Sequence, residues 1–543
     1  MTSKSSSATE KLYFTTKLAF GAGDMGPALT ANLLVFFLLP FFTNVAGLNP
    51  ATAGSVLFFG KISDAINDPI IGMLSDRTRT KWGRRLPWII FSAIPFGLIF
   101  FLQWIVPNFS EDPQLNQTLL FAYYLAIGVL FNICYTAVNL PYQALTPELT
   151  QDYNERTNLN SFRFSFSIGA SILSLILAGF IFQVYDNDQD KYLVLGIVST
   201  LFSIVPLFWC PLIIRERGYQ PLLSNKAKKI VGFLLLILTA ILGVISAYYI
   251  FKSSEDTLRF WGLIGILFSL LIGTIGNTLR IAKTEKHLLA NDGESTEEES
   301  TNLTFVQQFK IVFQNKPFLF VVGIYLCSWL AVQLTASILL YFVVDWMGLT
   351  EASFPTVAIA VQGTALVMLF VWQKISIKLD KKNVYFLGSA IWIVAQIGLF
   401  IVQPGQTVLL YVFAMLAGCG VSVAYLIPWS MIPDVIDLDE LNTGKRREGI
   451  FYGFMVLLQK FGLALGLFLV GLALEASGFI KSVAGETPPI QPDSALWAIR
   501  LVVAPLPAIV LLAGIILAYF YPITRDYHRD ICAQLQARRE KES

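Results

Sequence analysis

Residues 230–251, IVGFLLLILTAILGVISAYYIF, carry no charged side chain over a length that crosses a bilayer as one helix. A hydrocarbon core about 30 Å thick, at about 1.5 Å per helical residue, asks for roughly 20 apolar residues. Inside it every backbone N–H and C=O must be paired within the segment, which leaves the helix as the form such a run can take. Comparable runs lie near 24–46, 53–75, 86–106, 117–142, 163–184, 192–214 and 259–281, then near 317–344, 352–373, 384–403, 407–432, 449–474 and 495–521. Fourteen spans are therefore expected, arranged as six, two and six. Composition agrees: 55% of residues are hydrophobic and 14% charged, against about 25% charged in soluble domains. A net charge of +2 gives no footing for a nucleic-acid partner.

The distribution of charge fixes the expected orientation. With a cytoplasmic N-terminus, Lys191, Lys252, Arg259, Lys481 and Arg500 fall on outer loops or outer helix ends, and Lys61, Arg163 and Lys460 fall inside spans. The remaining Lys and Arg residues lie on cytoplasmic segments, as the positive-inside rule requires. A multi-pass protein of the plasma membrane with both termini in the cytoplasm is expected. The N-terminal MTSKSSSATEKLYF lacks the pattern of a cleaved signal, so the first span reads as a permanent helix. Residues 1–216 and 317–523 read as two six-helix bundles, 217–316 as two inserted spans with a linker, and 524–543 as a cytoplasmic tail. The linker contains the acidic run NDGESTEEES; behind it Phe305, Phe309, Val312 and Phe313 share a helical face, which suits either an amphipathic surface helix or plain linker.

Five scattered cysteines and two histidines give no disulfide framework, metal spacing or histidine relay. No nucleophile–base set or phosphate loop is visible, so an enzyme is not expected, nor a cofactor.

Charges within the spans carry the functional signal. KISDAINDPIIG, residues 61–72, places Asp64 and Asp68 four residues apart on one helical side, with Asn67 alongside. Each Asp near a span centre costs roughly 2.5–3.5 kcal/mol on insertion scales, so the pair must face protein or water. Two carboxylates and an amide oxygen suit a small hard cation or a proton. The alternative is an ion pair with Lys61, Arg163 or Lys460 that only holds helices together. Lys460 lies eleven residues into an apolar run and should face the interior. Arg163 stands at the cytoplasmic entrance of the fifth span, where snorkelling also explains it. Asp24, at the start of the expected first span, suits the positive end of the helix dipole.

The loop GMLSDRTRTKWGRRLPW, through Gly72, Asp76, Arg77, Gly83, Arg84 and Arg85, resembles the signature loop of the major facilitator superfamily, where the acid and arginines form a charged latch that gates the transporter. A short repeat agrees: NLPYQALTPEL (139–149) and LIPWSMIPDV (426–435) end the fourth and tenth spans, equivalent positions in two parallel copies. The motifs FFTNVAGL, DAINDPIIG, DRTRTKWGRRLPWII, CYTAVNLPYQALTPEL, QNKPF and DVIDLDELNTGKRREGIFYGFMVLLQK together resemble the glycoside–pentoside–hexuronide:cation symporters, the melibiose-permease branch of that superfamily.

The resemblance implies the major facilitator fold and a sodium, lithium or proton site formed by Asp64, Asn67, Asp68 and Thr136. The family's eleventh-helix lysine falls on Lys460 and its fifth-helix arginine on Arg163, the implied charge partners for coupling. The family's sugar machinery is absent: Ala28 and Asn139 stand where melibiose permease has sugar-binding aspartates, and Gln143 replaces a stacking tryptophan. Asp24, Asn139, Tyr142, Gln143, Tyr425 and Trp429 are the candidates to line a substrate cavity. The expected activity is alternating-access symport of a small sugar or glycoside driven by Na⁺ or H⁺. An amphipathic lipid is the second substrate class, because the related sodium-dependent lysolipid transporters keep DAxxDP without the sugar acids. A non-transporting receptor or scaffold is the reading from another class.

Overall fold

The computed structural model describes residues 11–150, 153–253, 255–283, 285, 305–444, 447–481 and 489–542. The acidic run 291–300 lies outside them, as do the side chains of Asp64 and Asp76. Among the described residues the protein is helical, and twelve helices are long and apolar enough to cross a membrane. The other two expected spans fall on a 28-residue helix, Pro50–Arg77, with the polar stretch at its centre, and on the shorter apolar helix Leu86–Leu102. A count of fourteen therefore goes beyond these twelve.

In chain order the helices are α1 (Phe14–Leu38), α2 (Pro50–Arg77), α3 (Leu86–Leu102), α4 (Pro113–Gln143), α5 (Tyr153–Val184), α6 (Asp188–Ile213), α7 (Asn225–Lys252) and α8 (Asp256–Ile281). Then follow α9 (Phe305–Gln314), α10 (Lys316–Tyr341), α11 (Phe354–Lys378), α12 (Lys381–Ile401), α13 (Thr407–Thr443), α14 (Glu448–Ala476), α15 (Asp493–Val503), α16 (Pro505–Tyr519) and α17 (Arg525–Glu542). Their ends follow local chemistry. Asn187, Ser224, Asn315 and Asp380 accept from the orphan N–H groups of α6, α7, α10 and α12. Gly444, at φ +69°, ends α13 in the left-handed conformation.

Two compact units form. The first comprises Met1–Leu34 and Ser63–Thr296, the second Val35–Ile62 and Glu297–Ser543. In the first, Phe20, Leu86, Ile89, Tyr142, Trp209 and Leu279 share one core cluster. The pair α7–α8 belongs to this unit. Gly232 lets α7 pass so near α8 that an added Cβ would lie 2.5 Å from the Gly276 carbonyl oxygen. Trp261 Nε1 of α8 donates to Tyr185 Oη at 3.0 Å, while the α7 side chains Phe233, Ile241, Val244 and Phe251 stay exposed. The pair is thus lateral, with α7 on the rim.

In the second unit, the segment Val35–Ile62 packs on the C-terminal helices. Thr43 Oγ1 lies 2.6 Å from Tyr341 Oη, and Glu475 Oε2 accepts from Ala51 N at 2.8 Å. Lys481 Nζ donates to the Gly47 carbonyl and to Asn49 Oδ1, both at 2.8 Å. Residues 305–314 are helical, and Val312 is buried in the unit's core while Phe313 is exposed. The expected shared face of those two residues is therefore split between the core and the surface.

Candidate cation and substrate site

Residues 61–72 are helical throughout, so Asp64, Asn67 and Asp68 sit in the middle of α2 as their spacing demands. From α4, Thr136 Oγ1 donates to Asp68 Oδ1 at 2.9 Å, and Thr136 itself is buried. The Nδ2 atom of Asn67 and the Oδ1 atom of Asn139, one helical turn beyond Thr136, are buried without hydrogen-bond partners. Native interiors seldom leave polar atoms so. A carboxylate of α2 and a hydroxyl of α4 meet here, with Asn67 on the same helix as Asp68 and Asn139 on the same helix as Thr136.

Among the described residues, Arg163 faces Asp24. Its Nε lies 3.6 Å from Asp24 Oδ2, and Asp24 also hydrogen-bonds Ser167. α1 starts at Phe14, ten residues before Asp24, rather than at Asp24 as expected. Asp24 is a buried acid at a break between Ala22 and Met25, at the N-cap of the stretch that follows but without a side-chain capping bond, and a buried acid needs a cation. Lys460 lies part-buried on α14, in the second unit.

The substrate-cavity candidates separate. Tyr142 is fully buried, stacked on Phe20 with centroids 5.0 Å apart, and its hydroxyl donates to the Phe20 carbonyl at 2.6 Å. Its polar group is already used for packing α4 on α1. Gln143 is exposed. Tyr425 and Trp429, one turn apart on α13, join an aromatic group that sequence reasoning missed. Trp329 packs edge-on to Tyr425 with centroids at 5.3 Å, Tyr325 packs edge-on to Trp429 at 5.9 Å, and Tyr452 lies parallel to Trp429 at 6.2 Å. The i, i+4 spacing of Tyr325 and Trp329 on α10 was the available signal. Tyr425 is 44% exposed, so the group has an accessible side.

The loop between α2 and α3 forms a second site, all of it within the first unit. Arg84 Nε and Arg85 Nε lie 3.0 and 3.5 Å from Glu148 Oε1, and Arg85 also donates to Ser75 Oγ at 2.8 Å. Arg77 is exposed, and at Gly72 α2 comes near Leu140 of α4. Glu216, unremarked in the sequence, is the centre of this loop. Its carboxylate accepts from the backbone N–H of Arg84, Arg85 and Leu86 at 2.8, 2.8 and 2.7 Å, closing the start of α3. The repeat seen at 139–149 and 426–435 has a counterpart here. Glu148 takes Arg84 after its proline, and Asp434, after Pro433, takes Lys381 Nζ at 2.7 Å.

Burial, and after it the charge of Glu148, push Glu216 up to about 7 from its ordinary 4.5. A folded-state value above the unfolded one means that the stability tied to this group is fully present below 4.5 and is lost as pH rises through about 7. Glu216→Gln, which mimics the protonated acid, is expected to flatten the decline in unfolding temperature across that window in detergent. An unchanged slope would show that Glu216 does not titrate there.

Helices long and apolar enough to cross a membrane, with polar groups held among them, are the architecture a secondary transporter needs. A family model described as MFS/sugar transport protein matches residues 19–234 and 225–525. The chain belongs to that family, and it is a symporter of the major facilitator superfamily. An uncharacterized symporter of Synechocystis sp. is 60% identical over 538 residues, 98% of each chain. The sodium-dependent lysophosphatidylcholine symporter 1-A of Danio rerio is 26% identical over 524 residues, 96% of this chain and 88% of its own. In fold the chain is similar to the solved structure of a bacterial homolog of the human lysosomal transporter Spinster, inward-facing and unoccupied. The TM-score is 0.53 at 12% identity, over 96% of this chain and 97% of that one.

Proposed function

We propose that this symporter couples solute movement to Na⁺ bound by Asp64, Asn67, Asp68 and Thr136. The observation that carries the reading is the Thr136–Asp68 hydrogen bond across α2 and α4. Sodium is favoured over the proton because the four proposed residues offer oxygen donors and because the lysophosphatidylcholine relatives are named sodium-dependent. Lys460 and Arg163, the latter 3.6 Å from Asp24, are the proposed charge partners for coupling. The reading includes fourteen spans, two six-helix bundles with an inserted pair, cytoplasmic termini and a plasma-membrane location, supported by the distribution of Lys and Arg.

A small sugar or glycoside is the first substrate class, supported by the family description and by the aromatic faces of Trp329, Tyr425, Trp429 and Tyr452, which suit stacking on sugar rings. A lysolipid is the second, favoured by the full-length lysophosphatidylcholine relatives and by Ala28, Asn139 and Gln143 at the melibiose-type sugar positions. Uptake into proteoliposomes from a panel of glycosides and lysolipids, with Na⁺ and proton gradients imposed separately, tests both. Na⁺-stimulated accumulation of one class is expected. Uptake of no compound responding to either gradient would overturn the coupling.

A further inference from the structure

On the polar tail helix α17, His528 and Cys532 stand four residues apart and so share one face, the spacing by which a helix offers two ligands to one metal ion. That face meets α13. His528 Nε2 lies 3.1 Å from Asp437 Oδ2 and 3.6 Å from Cys532 Sγ, and ligand atoms of Asp437, His528 and Cys532 all fall within 4.8 Å of one another. Asp434 Oδ1 is 3.5 Å from the same nitrogen, but both oxygens of Asp434 already accept from Lys381 Nζ at 2.7 Å. Asp437 is the carboxylate nearer to His528 Nε2.

A tetrahedral zinc ion with bonds of about 2.0–2.3 Å spaces its ligands roughly 3.3–3.7 Å apart. Around His528 Nε2 the 3.6 Å separation to Cys532 Sγ falls within that range and the 3.1 Å separation to Asp437 Oδ2 is slightly short of it. We infer that Asp437, His528 and Cys532 form a site for a thiophilic divalent metal, Zn²⁺ being the fitting ion, with water in the fourth position. The donor set is one nitrogen, one sulfur and one oxygen, which selects zinc over Mg²⁺ or Ca²⁺. On binding, the Cys532 thiol gives its proton to solvent and its thiolate bonds the metal. A groove lined by Arg525, Asp526, His528, Arg529 and Cys532 provides access. Behind it Ile531 and Leu535 of α17 are buried in the same core cluster as Val435 and Ile436 of α13, so the two helices are already docked. The metal would staple the tail helix to the end of α13.

The test uses the full-length protein purified without a histidine tag, equilibrated with Zn²⁺ and desalted. About one zinc ion per chain is expected, lost in His528→Asn and in Cys532→Ser. In the unmutated protein Zn²⁺ should slow maleimide labelling of Cys532, read from the mass of the C-terminal peptide. A chelator should restore the rate, Mg²⁺ should have no effect, and zinc should give no protection in His528→Asn. Absence of stoichiometric zinc, zinc retained in full by both variants, or labelling of the unmutated protein indifferent to Zn²⁺ would each overturn the site. The labelling arm needs no substitution, so a misfolded variant cannot mask the answer.

Discussion

Asp68→Asn is expected to abolish cation-stimulated uptake while leaving the protein folded. The amide oxygen of asparagine can still accept from Thr136 Oγ1, which now lies 2.9 Å from the carboxylate, so the packing of α2 on α4 is preserved. What disappears is a full negative charge beside the cation. At about 4 Å and an effective dielectric of about 20, that attraction is worth about 4 kcal/mol, close to a thousandfold in affinity. Proteoliposome uptake with and without the gradient, alongside a thermal unfolding scan, separates loss of coupling from loss of fold. A variant that unfolds normally and still accumulates substrate in response to the gradient would exclude Asp68 from the site. Thr136→Val should produce a weaker loss, because it removes a neutral donor rather than a charge.

The largest loss of stability is expected from Gly83→Ala. Gly83 has φ +116°, a conformation that residues with a Cβ rarely adopt, and an added Cβ would lie 2.2 Å from the Glu216 carboxyl carbon. Such backbone strain costs about 1–3 kcal/mol. Displacing Glu216 also breaks hydrogen bonds to three backbone N–H groups at the start of α3, each worth about 1–3 kcal/mol. Folded proteins hold only about 5–15 kcal/mol in total, so the unfolding temperature should drop sharply or the protein should fail to accumulate. Gly128→Ala is the control, since an added Cβ there meets nothing within 4 Å. Glu216→Ala combined with Gly83→Ala should cost less than the sum of the two, because the clash is then gone. Additive losses would mean that the glycine and the glutamate act independently.

The helices and the polar centre of α2 were legible because both rest on local pattern. A run of apolar residues dictates a span, and a charged cluster within it stands out against that background. Three features were not legible, each for a physical reason. The start of α1 was misplaced because FTTKLAFGAG mixes threonine, lysine and glycine into a helix whose Thr15, Thr16 and Lys17 are nonetheless buried. Glu216 sits between two arginines in an ordinary polar linker, and its role exists only once the chain has folded back over residues 83–86. The pairing of Asp24 with Arg163 links residues 139 positions apart, which no local spacing reveals. The aromatic group was half visible, since Tyr425 and Trp429 were selected while Tyr325 and Trp329 carry the same spacing.

The hairpin of α7 and α8 bears on how such a chain could have been lengthened. Its helices run antiparallel, with the glycine near the start of α7 meeting the glycine near the end of α8. Two crossings return the chain to the leaflet it left, so everything downstream keeps its sidedness, whereas one added helix would turn the whole later half upside down. α8 contributes Ile275 and Leu279 to a core cluster against which Val231 and Leu235 of α7 also pack, and the hairpin leaves the sidedness of everything after it unchanged. Parity, rather than function, is enough to explain why it comes as a pair.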